Sequence, residues 1–391
     1  MKKIMAFLMA GVLFMGTAYG VHIYRSNRLI SYTNEFSTWT NASKFMSSDA
    51  MRTNLNKESL VVFGSSEFEH GLDTPYHPRT MFQNAKLNPM LIGAGYYQCL
   101  SHAITLSAIG KSIPNKKVVL LLSPTWFRKE GVNNKAFASR FSESSYLEML
   151  KNKAISSDTK TYMEKRTIQL LEVDEPTRDR IKRYQRVISG GDTSIFDQLD
   201  YRIYAQFLME KSQGKVLEQM EQEGVPSNGK PVVKDTPIEW EACMKQAEAD
   251  GITNNQNPFY MNPKSFSKIE LKMGKKRNCR SGIQDAYTRS PEYGDLRCFL
   301  DVCKEQDITP LLVALPVNGY WYDYTGFPSH ARAKYYENIR SIAKEYDVQL
   351  EDLSDREFIK YFFEDGVHLG GKGWVTVDEL LYNFYNKDKK Q

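Results

Sequence analysis

The chain has 391 residues, of which 41% are hydrophobic and 25% are charged, and its formal net charge is +5. This composition is typical of a globular protein and excludes a predominantly disordered chain. The small basic excess tolerates an anionic partner without requiring one, so no nucleic-acid binding is predicted.

Cysteine spacing and glycine patterns give no sign of a metal or cofactor. The chain has no C-x-x-C pair and no zinc-ligand spacing, so neither a metal site nor a disulfide framework is predicted. It also lacks a glycine-rich phosphate loop and a dinucleotide-binding fingerprint, so no cofactor is predicted. The five cysteines are Cys99, Cys243, Cys279, Cys298 and Cys303.

Residues 1–25 predict a transmembrane anchor. Lys2 and Lys3 precede an uncharged run from Ile4 through Tyr24. About 20 residues are needed to cross a bilayer, whereas the apolar part of a signal peptide has about 7–15. A cleaved signal peptide is the alternative, since Ala18-Tyr19-Gly20 resembles a cleavage site. The apolar run continues past that site, which favours an uncleaved, single-pass anchor with a cytoplasmic N-terminus and the rest of the chain outside.

Residues 26–58 predict a linker, because they are polar and rich in Ser, Thr and Asn. We expect a tether with a short helix there, leading into one domain formed by residues 59–391. Within that domain, residues from about 127 to 280 contain long charged segments typical of amphipathic helices. They predict a helical insertion. Its basic cluster, Lys275-Lys276-Arg277 with Arg280, fits a solvated surface, with a ligand-binding role as the alternative.

Short apolar runs predict the strands of the domain. Continuous apolar character fits strands that are buried on both faces. Helical patterns alternate with these runs, so the fold class predicted is α/β, a parallel sheet flanked by helices. The runs are Leu60–Phe63, Met90–Ile92, Lys117–Ser123, Pro310–Leu315 and Val348–Leu353.

An unusual loop follows each predicted strand. In parallel sheets, ligands bind beyond the carboxyl ends of the strands. We therefore expect the loops to converge on one edge and to form a site there. These loops are Gly64–Ser66, Gly93–Gly95, Ser123–Trp126, Pro316–Gly326 and Asp365–His368.

Three residues in these loops have the chemistry of a nucleophilic site. The hydroxyl of Ser66 is a weak nucleophile until an imidazole takes its proton, and the imidazole needs a carboxylate to orient it. His368 and Asp365 lie three residues apart in one loop and could form that second pair. A single serine or histidine of this kind is commonly a turn or cap residue, but the combination predicts a Ser-His-Asp triad. Ser65 is the alternative hydroxyl.

A second nucleophile pair has a simpler interpretation. Cys99 and His102 lie within an apolar pattern of helical spacing, so we expect both side chains in the core. The G-x-S-x-G sequence of α/β-hydrolases is absent.

Several blocks of the sequence resemble a known family. Gly64-Ser65-Ser66-Glu67, the glycines of residues 93–95 and Asp365-x-x-His368 resemble the arrangement of SGNH/GDSL hydrolases. With the anchor and three further blocks, the chain resembles, over essentially its whole length, the DltD family of D-alanyl-lipoteichoic acid biosynthesis proteins of Gram-positive bacteria. The further blocks are Leu122–Phe127, Ser290–Leu296 and Pro316–Gly326.

The resemblance implies an extracytoplasmic, membrane-anchored enzyme that esterifies lipoteichoic acid with D-alanine at the outer face of the membrane. A membrane-bound acyltransferase would be its partner, and a D-alanyl carrier protein is a further candidate. Ser66 would be the nucleophile, His368 the base and Asp365 the residue that orients the base. The backbone N–H groups of Ser66 and Gly95 are candidate oxyanion donors.

The third block departs from the hydrolase pattern. Where G-x-N-D would supply an asparagine, this chain has Ser123-Pro124-Thr125-Trp126, so the usual oxyanion hole is not expected. An esterase or thioesterase that removes acyl groups, and a non-catalytic assembly subunit of the D-alanylation machinery, are the alternative functions. Candidate substrate-binding residues are Thr125, Trp126, Asn318, Tyr320, Trp321 and Tyr322.

Overall fold

The structure is a computed structural model that describes residues 2–29, 33–227, 234–283 and 287–387. Within these ranges one five-stranded sheet has the order β2-β1-β3-β4-β5, and all neighbouring strands are parallel. The predicted α/β class is therefore confirmed. The strands are β1 (Ser59–Phe63), β2 (Asn88–Ile92), β3 (Lys117–Leu122), β4 (Thr309–Ala314) and β5 (Gln349–Asp352).

Helices cover both faces of the sheet and form most of the segment between β3 and β4. Their bounds are α1 (Lys2–Leu29), α2 (Asn34–Thr38), α3 (Ala42–Phe45), α4 (Ser48–Thr53), α5 (Pro78–Met81), α6 (Cys99–Ile109), α7 (Asn134–Arg140), α8 (Glu143–Lys151), α9 (Ser157–Leu170), α10 (Glu175–Ile188), α11 (Ile195–Gln222), α12 (Trp240–Asn254), α13 (Pro263–Glu270), α14 (Met273–Lys276), α15 (Glu292–Glu305), α16 (Gly319–Tyr324), α17 (Ser329–Glu345) and α18 (Gly371–Asn386).

The continuous apolar strands divide their side chains between two cores. Val61 and Phe63 of β1 face the core that includes α6, α15 and α17, whereas Leu60 and Val62 face the core that includes α18. All residues of β1, β2 and β3 are buried. Because successive side chains of a strand point to opposite faces, only a strand that is covered on both faces can be apolar throughout.

The helices between β3 and β4 pack on both sides of the sheet. Helix α8 lies against α6, and α9 lies against α15, on one side. Helix α12 packs instead against α18 on the other side, where Ala247 belongs to the second core. The segment predicted as an insertion thus lies on both sides of the sheet, and it contacts the loop after β5, where the N–H of Asn262 donates to the carbonyl of Glu364 at 2.9 Å.

The block Ser290–Leu296 connects this helical segment to the central domain. Asp295 is fully buried and receives two hydrogen bonds from Arg166 of α9, at 3.0 and 2.9 Å, and one from the Tyr162 hydroxyl at 2.8 Å. Glu292 accepts a hydrogen bond of 2.7 Å from the backbone N–H of Cys99 at the start of α6. Burial and the charge of Asp295 raise the pKa of Glu292 to about 8.

Helix α1 is long and apolar enough to cross a membrane, judged by length and composition. Its C-terminal end contacts α11, where His22 Nδ1 lies 2.5 Å from Glu210 Oε1. The short helices α2 to α4 follow in the segment predicted as a linker, of which residues 30–32 lie outside the described ranges. Phe36 and Phe45 of this segment are buried in the first core.

Candidate active site

The end of β1 separates the two adjacent serines. After Phe63 the chain enters a single 3-10 turn, Ser66–Glu69. The hydroxyl of Ser65 is buried and donates to the carbonyl of Ala94 at 3.0 Å. The hydroxyl of Ser66 is half-buried and lies 2.8 Å from Nε2 of His368. The two hydroxyls therefore face different parts of the molecule, and only that of Ser66 contacts an imidazole.

A close backbone approach brings the second glycine block beside Ser66. Gly93 has a φ of +147°, and a Cβ on it would lie 1.9 Å from the carbonyl oxygen of Gly64. Only glycine allows this contact, since any side chain would collide with the β1 loop. The approach brings the loop after β2 against the loop after β1, and a Cβ on Gly95 would lie 4.0 Å from Ser66 Cβ.

The loop after β5 holds His368 through a local turn. Oδ1 of Asp365 accepts the backbone N–H groups of Val367 and His368, both at 2.8 Å. Its other oxygen, Oδ2, lies 2.7 Å from His368 Nδ1. An aspartate that accepts the backbone N–H two residues later forms an Asx turn. One side chain thus shapes the loop and orients the imidazole.

The charges around His368 raise the pKa of its imidazole and so make it a stronger base. Burial by itself would lower the pKa of His368, but the hydrogen bond and charge of Asp365, with the charges of Glu67 and Glu364, raise it above the ordinary 6.5. Burial likewise opposes ionisation of Asp365, yet its hydrogen bonds and the charge of His368 hold its pKa at about 2. The carboxylate is ionised at neutral pH, and the imidazole is a competent proton acceptor.

A second histidine lies on the triad. His70 stacks on His368 with 3.7 Å between ring centroids and 8° between ring planes, and its Nδ1 lies 3.1 Å from Glu364 Oε1. His70 was not predicted as a site residue, because its position four residues after Ser66 carries no signal that links it to the distant loop of His368.

The same groups include the one metal-ligand combination found among the described residues. Ligand atoms of His70, Asp365 and His368 all lie within 4.8 Å of one another. However, both ring nitrogens of His368 have partners in Ser66 and Asp365. The chemistry of this donor set is therefore that of a proton relay, and a metal there would have to displace the hydrogen bond to Ser66.

The candidate oxyanion donors differ in their surroundings. Ser66 is the first residue of its turn, where backbone N–H groups have no helical acceptor. The N–H of Gly95 donates to Oε2 of Glu69 at 3.0 Å. An exposed carboxylate thus occupies one candidate donor in this structure. Glu67, by contrast, is buried and accepts the N–H of Ser65 at 2.7 Å.

A cavity of about 340 Å³ lies next to the triad. Asp365, His70 and Thr125 line it, and so do Trp321 and Tyr322 from α16. Three basic side chains also line the cavity, from Arg128, Lys268 and Arg280. Of these three, only Arg280 belongs to the basic cluster for which the sequence left a ligand-binding role as the alternative, and no sequence pattern marked Arg128 or Lys268.

The remaining candidate residues lie outside this cavity. Asn318 is fully buried and supports the site, because its side chain accepts the N–H of Trp321 at 3.1 Å and donates to the carbonyl of Asp365 at 3.4 Å. The hydroxyl of Tyr320 donates to the carbonyl of Phe358 at 2.9 Å. Trp126 is buried, with its ring centroid 6.0 Å from that of His102.

The second nucleophile pair is part of the core, as the sequence predicted. Cys99 and His102 are both fully buried. Burial raises the pKa of the Cys99 thiol and lowers the pKa of His102 to about 3. Neither group has the thiolate or basic character that nucleophilic catalysis requires.

Comparison with known proteins identifies similar sequences over most of the chain. A family model described as "DltD protein" matches residues 33–386. The chain is 31% identical to Protein DltD of Bacillus subtilis (strain 168) over 333 residues, which cover 84% of this chain and 83% of that protein. It is 27% identical to Protein DltD of Staphylococcus aureus (strain NCTC 8325 / PS 47), over 82% and 79% of the two chains. For Protein DltD of Lacticaseibacillus rhamnosus, the identity is 24%, over 85% and 79%.

Proposed function

The chain belongs to the DltD family, and on that premise we propose that it esterifies lipoteichoic acid with D-alanine at the outer face of the membrane. Ser66, His368 and Asp365 are the catalytic residues in this proposal. The observation that carries it is the 2.8 Å contact between Ser66 Oγ and His368 Nε2, in a triad completed by Asp365.

In the first half-reaction Ser66 takes the acyl group. Its oxygen attacks the carbonyl carbon of an activated D-alanyl ester or thioester, while Nε2 of His368 accepts the hydroxyl proton. The tetrahedral intermediate collapses, the bond to the donor's oxygen or sulfur breaks, and that leaving group receives the proton from His368. The product is a D-alanyl ester of Ser66. Asp365 stabilises the imidazolium that exists between these two proton transfers.

In the second half-reaction a hydroxyl of the glycerol phosphate polymer attacks the seryl ester. His368 accepts the proton of that hydroxyl and then returns it to Ser66 as the ester bond to the enzyme breaks. The backbone N–H groups of Ser66 and Gly95 are the proposed donors to the oxyanion. Gly95 can act only after the carboxylate of Glu69 has moved, and the exposure of Glu69 leaves it room to do so.

The orientation of the predicted anchor, α1, determines on which side of the membrane this reaction takes place. We propose that α1 crosses the membrane once, with Lys2 and Lys3 in the cytoplasm and the α/β domain outside. A membrane-bound acyltransferase of the same pathway would then supply the acyl group at the outer surface. A D-alanyl carrier protein is a further proposed partner of the chain.

The test begins with a fluorophosphonate probe that reacts with activated serines, applied to the full-length protein in lipid nanodiscs. Mass spectrometry of the labelled protein should locate the probe on Ser66. We expect Ser66→Ala to abolish labelling and His368→Ala to reduce it strongly. Ser65→Ala is the matched control and should retain labelling, because Ser65 does not contact His368.

A second measurement distinguishes transfer from hydrolysis. Unlabelled wild-type protein is incubated with a D-alanyl thioester and a glycerol phosphate oligomer, and the products are identified by mass spectrometry. Aminoacylated oligomer supports the proposal, whereas release of free D-alanine alone indicates an esterase or thioesterase. If cells with Ser66→Ala keep their D-alanyl ester content, the chain is an assembly subunit and the proposed catalytic role is wrong.

A further inference from the structure

The cavity beside the triad has an excess of positive charge. Arg128, Lys268 and Arg280 line it, and within the described part of the chain none of the three has a carboxylate at salt-bridge distance. The carboxylates that line the cavity, Glu364 and Asp365, are each engaged by a histidine. Three cations around one concave surface repel one another, so the cavity favours an anion.

The arrangement of these cations narrows the class of anion. The guanidinium of Arg280 lies over the ring of Tyr322, 4.9 Å from its centroid, and is half-buried. A planar guanidinium held this way presents a fixed fork of donors to phosphate oxygens. The volume, about 340 Å³, lies within the range of about 300–1,000 Å³ of small-molecule sites. It can therefore hold an organic phosphate.

We propose that this cavity binds phosphodiester groups of the acceptor polymer and so presents a hydroxyl of that polymer to Ser66. The inference rests on the proposed function and adds the acceptor subsite to it. Arg280, Lys268 and Arg128 neutralise the phosphates, and the lining residue Asp365 connects the cavity to the triad. A hydroxyl of the polymer that lies next to a bound phosphate is thereby placed near His368, whose imidazole must accept its proton.

The test compares an anionic acceptor with an uncharged one. The variant Lys268→Gln/Arg280→Gln and the wild type are supplied with a D-alanyl thioester and either a glycerol phosphate oligomer or glycerol. We expect KM for the oligomer to rise about tenfold or more, the effect of roughly 1.4 kcal/mol. Transfer to glycerol should fall much less, because glycerol has no phosphate for these cations to bind, and high salt should weaken the oligomer reaction of the wild type more than that of the variant.

Two controls make the outcome decisive. Lys275→Gln/Lys276→Gln removes two charges from the neighbouring helix α14, and neither residue lines the cavity. Equal effects of the two double variants, or no effect of either, would overturn the acceptor subsite. The single variant Lys268→Glu, at an exposed position, should also raise KM for the oligomer, and it leaves Arg280 in place. Failure of the wild type itself to react with the fluorophosphonate probe would instead overturn the proposed function.

A different observation concerns the N-terminal half of α11. Five large apolar side chains there are between 55% and 78% exposed, and their spacing puts them on one face of the helix. The face continues in the C-terminal half, where α1 covers it: His22 contacts Glu210, and Arg25 lies against Gly214. The exposed side chains are Ile195, Phe196, Leu199, Ile203 and Phe207.

The register of the two helices indicates which way the uncovered half points. Residue numbers rise together along the contact, since His22 pairs with Glu210 and Arg25 lies against Gly214. The helices therefore run parallel. The exposed apolar face precedes Glu210 in α11, so it extends in the same direction as the part of α1 that precedes His22, which is the part that spans the membrane in the proposed topology.

We also infer that this face of α11 inserts into the outer leaflet of the lipid bilayer. A fluorophore sensitive to quenching is attached at Phe196→Cys or, on the opposite face, at Gln198→Cys, in full-length protein carrying Cys243→Ser and Cys279→Ser. In nanodiscs that contain spin-labelled phosphatidylcholine, we expect strong quenching at residue 196 and weak quenching at residue 198. Equal quenching, or protection of residue 196 without quenching by lipid, would overturn the inference.

Discussion

The imidazole of His70 stacks face to face on the imidazole of His368, with 3.7 Å between the ring centroids. Nδ1 of His70 faces Glu364, while both nitrogens of His368 are used in the triad. His70 thus limits the tilt of the ring that must move a proton between Ser66 and the substrate. A positioning role of this kind depends on the flat ring and not on its nitrogens.

We therefore expect His70→Ala to lower kcat about tenfold to a hundredfold, because an imidazole that is about 1 Å out of place can cost on the order of 10² in rate. His70→Phe keeps the stack and should stay within a few-fold of wild type. The measurement is kcat for a model ester with both variants side by side. Equal losses in the two variants would show that a nitrogen of His70 takes part in the chemistry.

The pairing of His368 with Asp365 predicts a pH dependence. His368 must be neutral to accept the proton of Ser66, so activity falls as the pH drops through its pKa, which lies above 6.5. Asp365→Asn removes the charge that raises this pKa, and the acid limb should then shift to lower pH. We also expect kcat to fall about 10⁴-fold, since the amide favours the wrong tautomer. A pH profile of ester hydrolysis with an unmoved acid limb would contradict this account.

The carboxylate of Glu69 competes for the N–H of Gly95, at 3.0 Å. Glu69→Gln weakens that competition because a neutral amide accepts a hydrogen bond less strongly than a carboxylate. We expect faster acylation of Ser66 by an uncharged ester, by a factor of several, in a pre-steady-state burst measurement. Glu172→Gln, an exposed position on the helical segment, serves as the control. A slower burst in Glu69→Gln would mean that the carboxylate assists the reaction.

The buried pair of Arg166 and Asp295 predicts where the fold is vulnerable. Asp295 is fully buried and Arg166 is only 12% exposed at its side chain. Removing one partner leaves an unpaired buried charge, so Asp295→Ala should lower the free energy of unfolding by about 3–5 kcal/mol. Arg297→Ala breaks the exposed pair with Glu345 and should cost at most about 1 kcal/mol. Denaturant unfolding of both variants tests the contrast, and equal losses would refute it.

The strands and the loops that follow them could be predicted from the sequence. Continuous apolar runs such as Val118–Leu122 have one simple explanation, burial on both faces of a parallel sheet. The carboxyl ends of parallel strands share one edge, so Ser66 and His368 were expected near one another although they lie 302 positions apart. Each of these conclusions depends on local composition and on a general rule of sheet topology.

The tertiary structure alone decided which further side chains join the site. Arg128, Lys268 and Arg280 lie in separate segments, and only the packing of those segments brings them to one cavity. His70 likewise meets His368 because two loops are pressed together. Local sequence sets the backbone conformation of each segment, but contacts between distant segments depend on how whole elements pack, which no local pattern records.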